Sequence, residues 1–117
     1  MPDSDEQLLR AFVAGSEPSL GELARRYEGA LVGLARGLLW GRDDLARDAV
    51  QDAWVRVIRG ARHFDARSRV KTWLYRIVVN RCSDLRARWG DRMKGQTPEG
   101  ELPAGGEVTG GGEGGQR

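Results

Sequence analysis

The hydrophobic pattern of residues 1–94 is helical throughout. Apolar residues recur at steps of three and four positions, and no stretch alternates polar and apolar residues for long enough to predict a strand. The clearest stripe consists of Leu20, Leu23, Ala24, Tyr27, Leu31, Leu34, Ala35 and Leu38. The pattern therefore predicts an all-α fold, a compact bundle of three main helices preceded by one short N-terminal helix.

Capping residues and glycines set the expected helix boundaries. The four expected helices cover approximately residues 5–14, 18–40, 43–59 and 68–89. Ser4 with Gln7, and Ser19 with Glu22, form capping-box signals at the first two starts, and an aspartate of the pair Asp43–Asp44 is the expected N-cap of the third helix. Glycines follow the first, third and fourth helices, and a loop with the sequence ARHFDARS joins the last two.

Three glycines, Gly29, Gly33 and Gly37, lie at four-residue spacing within the second helix. In a membrane this spacing is typical of a dimer face, but the flanking residues are too charged here. The stripe instead predicts a close approach of a neighbouring helix inside the bundle. Each glycine is expected to weaken the helix by roughly 1 kcal/mol relative to alanine.

The composition changes after residue 94. The segment 95–117, GQTPEGELPAGGEVTGGGEGGQR, holds much glycine and no aromatic residue, so we expect a flexible linker or tail after a helical domain of residues 1–94. Charge is also unevenly distributed: the net charge is −1 over residues 1–62, +6 over residues 63–94 and −3 over residues 95–117. A concentrated basic segment indicates a polyanionic partner, usually nucleic acid, although an arginine-rich solvated helix gives the same count.

Composition excludes several functional classes. The sequence has one cysteine, Cys82, and one histidine, His63, so neither an internal disulfide nor a zinc site is expected. No apolar run is long enough to span a bilayer, and the acidic N-terminus does not resemble a secretory signal. No nucleophile–base arrangement or phosphate-binding glycine loop is present. We therefore expect a cytoplasmic protein that is not an enzyme and needs no metal or cofactor.

The third helix is expected to have two different faces. The core stripe is Ala46, Ala49, Val50, Ala53 and Val57, flanked by Trp54 and Ile58. On the opposite side, Asp48, Gln51, Asp52, Val55 and Arg59 fall within about 100° of one another. This acidic face is either the solvated side of an amphipathic helix or a contact surface for a partner.

The fourth helix combines an inward apolar stripe with a basic face. The inward residues are Val70, Leu74, Ile77, Val78 and Leu85, with Cys82 as a partly buried filler. Arg69, Trp73, Arg76 and Asn80 fall within about 60° on another side. Guanidinium groups can neutralise phosphates, an indole can stack on an unpaired base, and an amide can read a base edge. Trp73 borders the apolar stripe, so a core role for it also stays open.

Residues 5–89 contain an ordered set of motifs, most of them in the run DAVQDAWVRVIRGARHFDARSRVKTWLYRIVVNRCSDLRAR. The run holds the acidic cluster before Trp54, Phe64 followed by a polar loop, and then Thr72-Trp73-Leu74, Arg76-Ile77, Asn80, Asp84 and Arg88 in register. Together with the preceding helix, LGELARRYEGALVGLARGLL, this set resembles the second conserved region of extracytoplasmic-function (ECF, group IV) sigma factors of bacterial RNA polymerase, in the sigma-70 superfamily.

The resemblance implies two partners. The acidic third helix is expected to bind the clamp helices of the largest polymerase subunit through Asp48, Gln51, Asp52, Val55 and Arg59. The loop and fourth helix are expected to recognise and melt the promoter minus-ten element and to hold its non-template strand. That surface comprises Phe64, Arg67, Ser68, Arg69, Lys71, Trp73, Arg76 and Asn80. Arg81 matches a DNA-facing position of the family but lies nearer the core stripe, so its role stays open.

The resemblance also leaves alternatives. Family members carry a second helical domain that reads the minus-thirty-five element, and this sequence has only the glycine-rich segment where the connecting linker is expected, as in a fragment of a longer factor. An anti-sigma factor is a further expected partner. The alternative function is a sigma-like helical interaction module, a regulator or decoy, that binds protein without binding DNA. A helix-turn-helix repressor fits less well because the fourth helix is too long.

Overall fold

The computed structural model describes residues 3–65 and 67–94, the last four of them by their backbone alone. Its helices are α1 (Asp5–Val13), α2 (Glu17–Leu38), α3 (Asp43–Gly60) and α4 (Val70–Lys94), with a short 3₁₀ helix, Ala61–His63, after α3. No strand occurs among these residues, so the predicted all-α bundle is confirmed. The tail predicted for residues 95–117 lies outside the described residues.

The core lies where α2 meets the other three helices and where α3 meets α4. The predicted stripe of α3 is buried throughout, and on α4 every predicted inward residue is buried except Ile77, which is half-buried against the core. Cys82 is fully buried rather than partly buried, and burial raises the pKa of its thiol to about 11. None of the described helices has the length and apolarity needed to cross a bilayer.

Helix starts follow the predicted capping only in α1. There, the Ser4 side chain accepts a hydrogen bond from the Gln7 N–H at 3.0 Å, and the Ser4 N–H donates to Gln7 Oε1 at 2.7 Å, which confirms the capping box. Gly15, with φ of +117°, allows the chain to turn after this helix. The capping box predicted at Ser19 is wrong: α2 begins at Glu17, since a proline is tolerated in a first helical turn.

Three further boundary expectations differ from the structure. The N-cap of α3 is Arg42, so Asp43 and Asp44 lie in the first turn, where carboxylates interact favourably with the helix dipole. The loop expected after α3 begins as a 3₁₀ helix. The fourth helix continues through Gly90 to Lys94, because a single glycine lowers helix propensity without stopping a long helix.

The glycine stripe of α2 does not mediate close packing. Gly29, Gly33 and Gly37 are exposed, and a Cβ atom built at each of them meets no atom within 4 Å. The prediction of a close helix approach is therefore wrong. Packing of α2 depends instead on its buried residues, Leu23, Leu31, Val32 and Ala35, which lie on another face of the helix.

Polar contacts tie the short helix α1 to both α2 and α4. The Asp5 carboxylate accepts hydrogen bonds from Arg26 Nη1, at 2.9 Å, and from the Tyr27 hydroxyl. Burial, with this hydrogen bond, raises the pKa of Tyr27 to about 12. The next residue, Glu6, accepts a hydrogen bond from the backbone N–H of Val70 at 2.9 Å. A carboxylate of α1 therefore satisfies a free N–H at the start of α4.

We predict that Glu6→Ala lowers the free energy of unfolding by about 1–2 kcal/mol, because the first turn of α4 loses a charged acceptor. In a domain of this size, each kcal/mol corresponds to roughly 4–8 °C in Tm. Thermal unfolding followed by circular dichroism measures the shift. Glu17→Ala is the control, since Glu17 is exposed in the first turn of α2. Equal Tm values for the two variants would contradict the assigned role of Glu6.

Candidate nucleic-acid and protein interfaces

The outer face of α3 is an exposed surface of mixed chemistry. Asp48, Gln51 and Arg59 are all exposed, as expected from the helical pattern. Val55 lies among them with 44% of its surface exposed. Ile58 was expected to flank the core, but that prediction is wrong, since it is 48% exposed. At seven positions beyond Gln51 it falls on the same side of the helix, so apolar surface lies beside the acidic residues.

Asp52 differs from the other residues predicted on this face because it is engaged within the molecule. Its Oδ2 accepts hydrogen bonds from Arg81 Nε at 2.9 Å and from Arg81 Nη2 at 2.8 Å. The Arg81 side chain is only 19% exposed, whereas the Asp52 side chain is 49% exposed. One turn further along α3, Arg56 Nη2 lies 3.9 Å from Asp84 Oδ2 of α4. Two ion pairs therefore cross the boundary between α3 and α4.

The basic face of α4 forms as the helical pattern predicts. Arg69, Arg76 and Asn80 are exposed, and none of their side chains forms a hydrogen bond or an ion pair with another described residue. Trp73 lies beside them and is half-buried, so it packs partly against the core while one part of its surface stays accessible. Its stacking on a base stays a prediction. Its ring packs against that of Phe64, with centroids 4.9 Å apart, and also against Gly60 at the end of α3. The indole is thereby held by α3 and by the loop.

The remaining residues predicted to bind DNA are arranged less uniformly. Arg67 is exposed and lies 3.5 Å from the Asp65 carboxylate, while Ser68 is half-buried. Lys71 lies apart from the basic face: its Nζ is 5.8 Å from the centroid of the Tyr75 ring. Tyr75 in turn packs edge-on against Tyr27 of α2. The structure thus brings together Phe64, Trp73, Arg69, Arg76 and Asn80, and places Lys71 toward α2.

The arginines of α2 and of the start of α3 differ from those of the basic face of α4 in their ion pairing. On α2 and at the start of α3, every arginine is paired with a carboxylate; these residues are Arg25, Arg26, Arg36, Arg42 and Arg47. Hydrogen bonds from two of them hold the pKa of Asp43 below its ordinary value. The arginines of the basic face of α4 have no such partner among the described residues. Their positive charge is therefore available to an external anion.

No group of three or more histidine, cysteine, aspartate or glutamate side chains converges anywhere in the described part of the chain. The site is therefore described by two surfaces on adjacent helices. The first is the acidic and apolar outer face of α3. The second surface consists of Phe64, Arg69, Trp73, Arg76 and Asn80. We call it the α4 strand face, after the single DNA strand that these residues are expected to bind.

The two-surface helical domain matches a known family. The Sigma-70 region 2 family matches residues 23–91, which is more than half of the chain, and the chain belongs to that family. Two of the curated relatives are named as ECF factors. The ECF RNA polymerase sigma factor SigM of Mycobacterium tuberculosis is 44% identical over 81 residues, and the ECF RNA polymerase sigma-E factor of Haemophilus influenzae is 29% identical over 89 residues. This confirms the resemblance to an ECF sigma factor.

A solved structure supports the same conclusion at the level of the fold. It is the NMR structure of an engineered region 2 of sigmaE in complex with GTAAAA, at a TM-score of 0.69 and 26% identity, with 80% of this chain and 99% of that chain covered. The curated relatives are longer than the match. The aligned part is 69% of this chain but only 41% of SigM, and 76% of this chain but 46% of the H. influenzae factor. The chain therefore spans less than half of these relatives.

We predict that the Asp52–Arg81 pair couples α3 to α4 by about 1 kcal/mol, because the guanidinium is largely buried. A double-mutant cycle with Asp52→Asn and Arg81→Gln, measured by urea unfolding, gives the coupling free energy. The control cycle uses Glu22→Gln and Arg25→Gln, an ion pair within α2 whose arginine is 73% exposed. That pair is expected to contribute less, because solvent screens two exposed charges. Equal coupling in the two cycles would refute the bridging role.

Proposed function

We propose that this chain contains the promoter-recognition domain of an ECF sigma factor and takes part in transcription initiation. In this proposal the outer face of α3 binds the clamp helices of the largest subunit of bacterial RNA polymerase. The α4 strand face captures the non-template strand of the minus-ten element and so favours the melted state of the promoter. The observation that carries the proposal is the set of cations on α4 without partners among the described residues, beside the supported indole of Trp73.

The chemistry of the α4 strand face suits a single strand better than a duplex. A half-buried indole can stack on one base only if that base has left its own stack, and each such contact contributes about 1–3 kcal/mol. Opening a base-pair step costs about 1.4 kcal/mol in stacking. Capture of a few bases can therefore offset the opening of a few steps. This balance needs neither ATP nor a catalytic residue, so we propose no enzymatic activity and no cofactor for the domain.

Similarity to the engineered region 2 of sigmaE supports a nucleic-acid partner, because that protein is in complex with GTAAAA. The polymerase partner rests on family membership and on the surface of α3. Asp48 offers a charged group and Gln51 a polar group. Further along the same face, Val55 and Ile58 together offer exposed apolar area. Such a mixture is suited to a protein contact. An anti-sigma factor is a further proposed partner, and a factor that serves the polymerase is expected in the cytoplasm.

We predict that Arg76→Ala/Asn80→Ala weakens binding to single-stranded DNA by about tenfold or more, since the double substitution removes both a phosphate contact and a base-edge contact. Trp73→Ala added to this pair is expected to abolish binding. Fluorescence anisotropy with a labelled 12-nucleotide strand containing GTAAAA, and with a randomised strand of equal length, measures the affinity.

The control is Arg36→Ala/Gln51→Ala, which removes the same charge and one amide from α2 and α3. Arg76 and Asn80 are exposed and lie outside the core, so circular dichroism should show that their replacement leaves the helix content unchanged. If the test variants bind the strands as well as the parent does, the assignment of strand binding to this face is wrong. If the parent binds neither strand, the result favours the alternative module that binds only protein.

We predict that Asp48→Arg weakens binding to a clamp-helix fragment of the polymerase by about tenfold or more. In the proposal Asp48 faces a basic group of the partner, and an arginine there would place two positive charges together, which costs several kcal/mol. Asp48 is chosen alone, since Asp52 is held by Arg81 and its replacement would also disturb α4. The control is Glu17→Arg, the same charge reversal at the exposed start of α2. Titration calorimetry or pull-down measures binding. Equal binding by both variants would remove Asp48 from the interface.

A further inference from the structure

The indole of Trp54 on α3 is hydrogen-bonded to a residue of another helix. Its Nε1–H donates a bond of 2.9 Å to Glu28 Oε1, and Glu28 lies near the middle of α2. Trp54 is buried, with 9% of its surface exposed, whereas Glu28 is half-buried. An indole has a single N–H donor, so this bond uses its whole hydrogen-bonding capacity. The orientation of the ring is therefore set from α2.

Trp54 adjoins the outer face of α3. Gln51 lies three positions before it and Ile58 four positions after it, and residues at these spacings are neighbours on the surface of a helix. Ile58 is 48% exposed, and Val55, the residue that follows Trp54, is 44% exposed. We call Val55 and Ile58 the apolar patch of α3. Because packed side chains limit one another, the position of the ring affects the shape of this patch.

The carboxylate of Glu28 contacts the indole rather than a cation. Glu28 forms no ion pair with another residue in the described part of the chain, and Arg47, whose charge interacts with it, is paired with Asp43 at 2.8 Å. A buried N–H without an acceptor is costly. If the side chain of Glu28 were removed, the N–H of Trp54 could reach an acceptor only in water, and the ring would have to tilt to do so.

We propose that Glu28 is a positioning residue of the polymerase-binding face. By fixing the indole of Trp54, it holds the apolar patch of α3 in the shape that the clamp helices contact. The inference rests on the proposed contact between α3 and the polymerase, and it extends to α2 the residues on which that contact depends. Glu28 acts through Trp54 and supplies no direct charge contact to the partner.

The main test separates the hydrogen bond of Glu28 from its negative charge. Glu28→Gln keeps an oxygen acceptor and removes the charge, whereas Glu28→Ala removes both. In titration calorimetry of the full chain with a clamp-helix fragment of the polymerase, we expect Glu28→Gln to bind like the parent. Glu28→Ala is expected to bind about fivefold more weakly, the equivalent of one net hydrogen bond. Alanine is a strong helix former, so weakening of α2 does not explain such a loss.

A second background tests whether Glu28 acts through the indole. Trp54→Phe keeps an aromatic ring and removes the N–H donor, so Glu28 loses its hydrogen-bond partner. In this background Glu28→Ala is expected to change binding of the fragment by less than about twofold, because the coupling between the two residues is already lost. An equal loss in both backgrounds would overturn the proposal.

The hydrogen bond also has a signature of its own in NMR spectra. The chain has four tryptophans, and the indole N–H resonance of Trp54 is assigned by its absence in Trp54→Phe. Glu28→Ala is expected to move this resonance upfield and to speed its exchange with water, while Glu28→Gln keeps exchange slow. Glu6→Ala is the control for general destabilisation: below its Tm it should bind the fragment like the parent, since Glu6 contacts the start of α4.

The outcomes separate this inference from the proposed function. If Glu28→Gln and Glu28→Ala weaken binding equally, Glu28 supplies a charge to the partner and the positioning role is overturned. If Asp48→Arg weakens binding but Glu28→Ala does not, the clamp helices bind α3 without depending on the orientation of Trp54, and the inference alone fails. If the parent does not bind the fragment, the proposed polymerase contact fails and the inference fails with it.

Discussion

The rotation of α4 about its own axis is the constraint on which both surfaces depend. Its buried stripe, Val70, Leu74, Val78, Cys82 and Leu85, lies against α2 and α3 and is almost inaccessible to water. Turning the helix by one residue, about 100°, would expose this stripe and bury arginines without partners. Fully burying each large apolar side chain contributes about 1.5–3 kcal/mol, so the packed stripe fixes which residues face outward. Arg69, Arg76 and Asn80 are exposed as a consequence of that packing.

The start of α4 is fixed by a contact that is distant in sequence. Glu6 accepts the hydrogen bond from the Val70 N–H across 64 positions of the chain. The same short helix is joined to α2 through Asp5, Arg26 and Tyr27. Because α1 is held on one side and holds α4 on the other, it contributes to the position of the loop that carries Phe64. A helix of nine residues, too short to be stable alone, therefore has a clear structural role.

The sequence allowed the helices, their inward stripes and the basic face of α4 to be predicted, because these follow from a periodicity of 3.6 residues. What it could not supply were features that depend on tertiary neighbours. The outward position of Ile58 depends on where α2 and α4 lie around α3. The open space beside Gly33 and the pairing of Asp52 with Arg81 are equally invisible to a helical wheel. The predicted helix ends were wrong for a local reason. Several residues near each helix start could serve as the N-cap, and α4 tolerates Gly90 in its interior.

The ion pairs between α3 and α4 explain how surfaces of opposite charge can share one small domain. Packed helix axes lie about 8–10 Å apart, which is close to the Debye length of about 8 Å at physiological salt. An unpaired carboxylate of α3 next to α4 would therefore repel a phosphate bound by Arg76. Asp52 is such a carboxylate, and Arg81 neutralises it, while Asp48, one turn away along α3, has no partner among the described residues. The acid of α3 that meets α4 is thus paired internally, and Asp48 is left available to a partner.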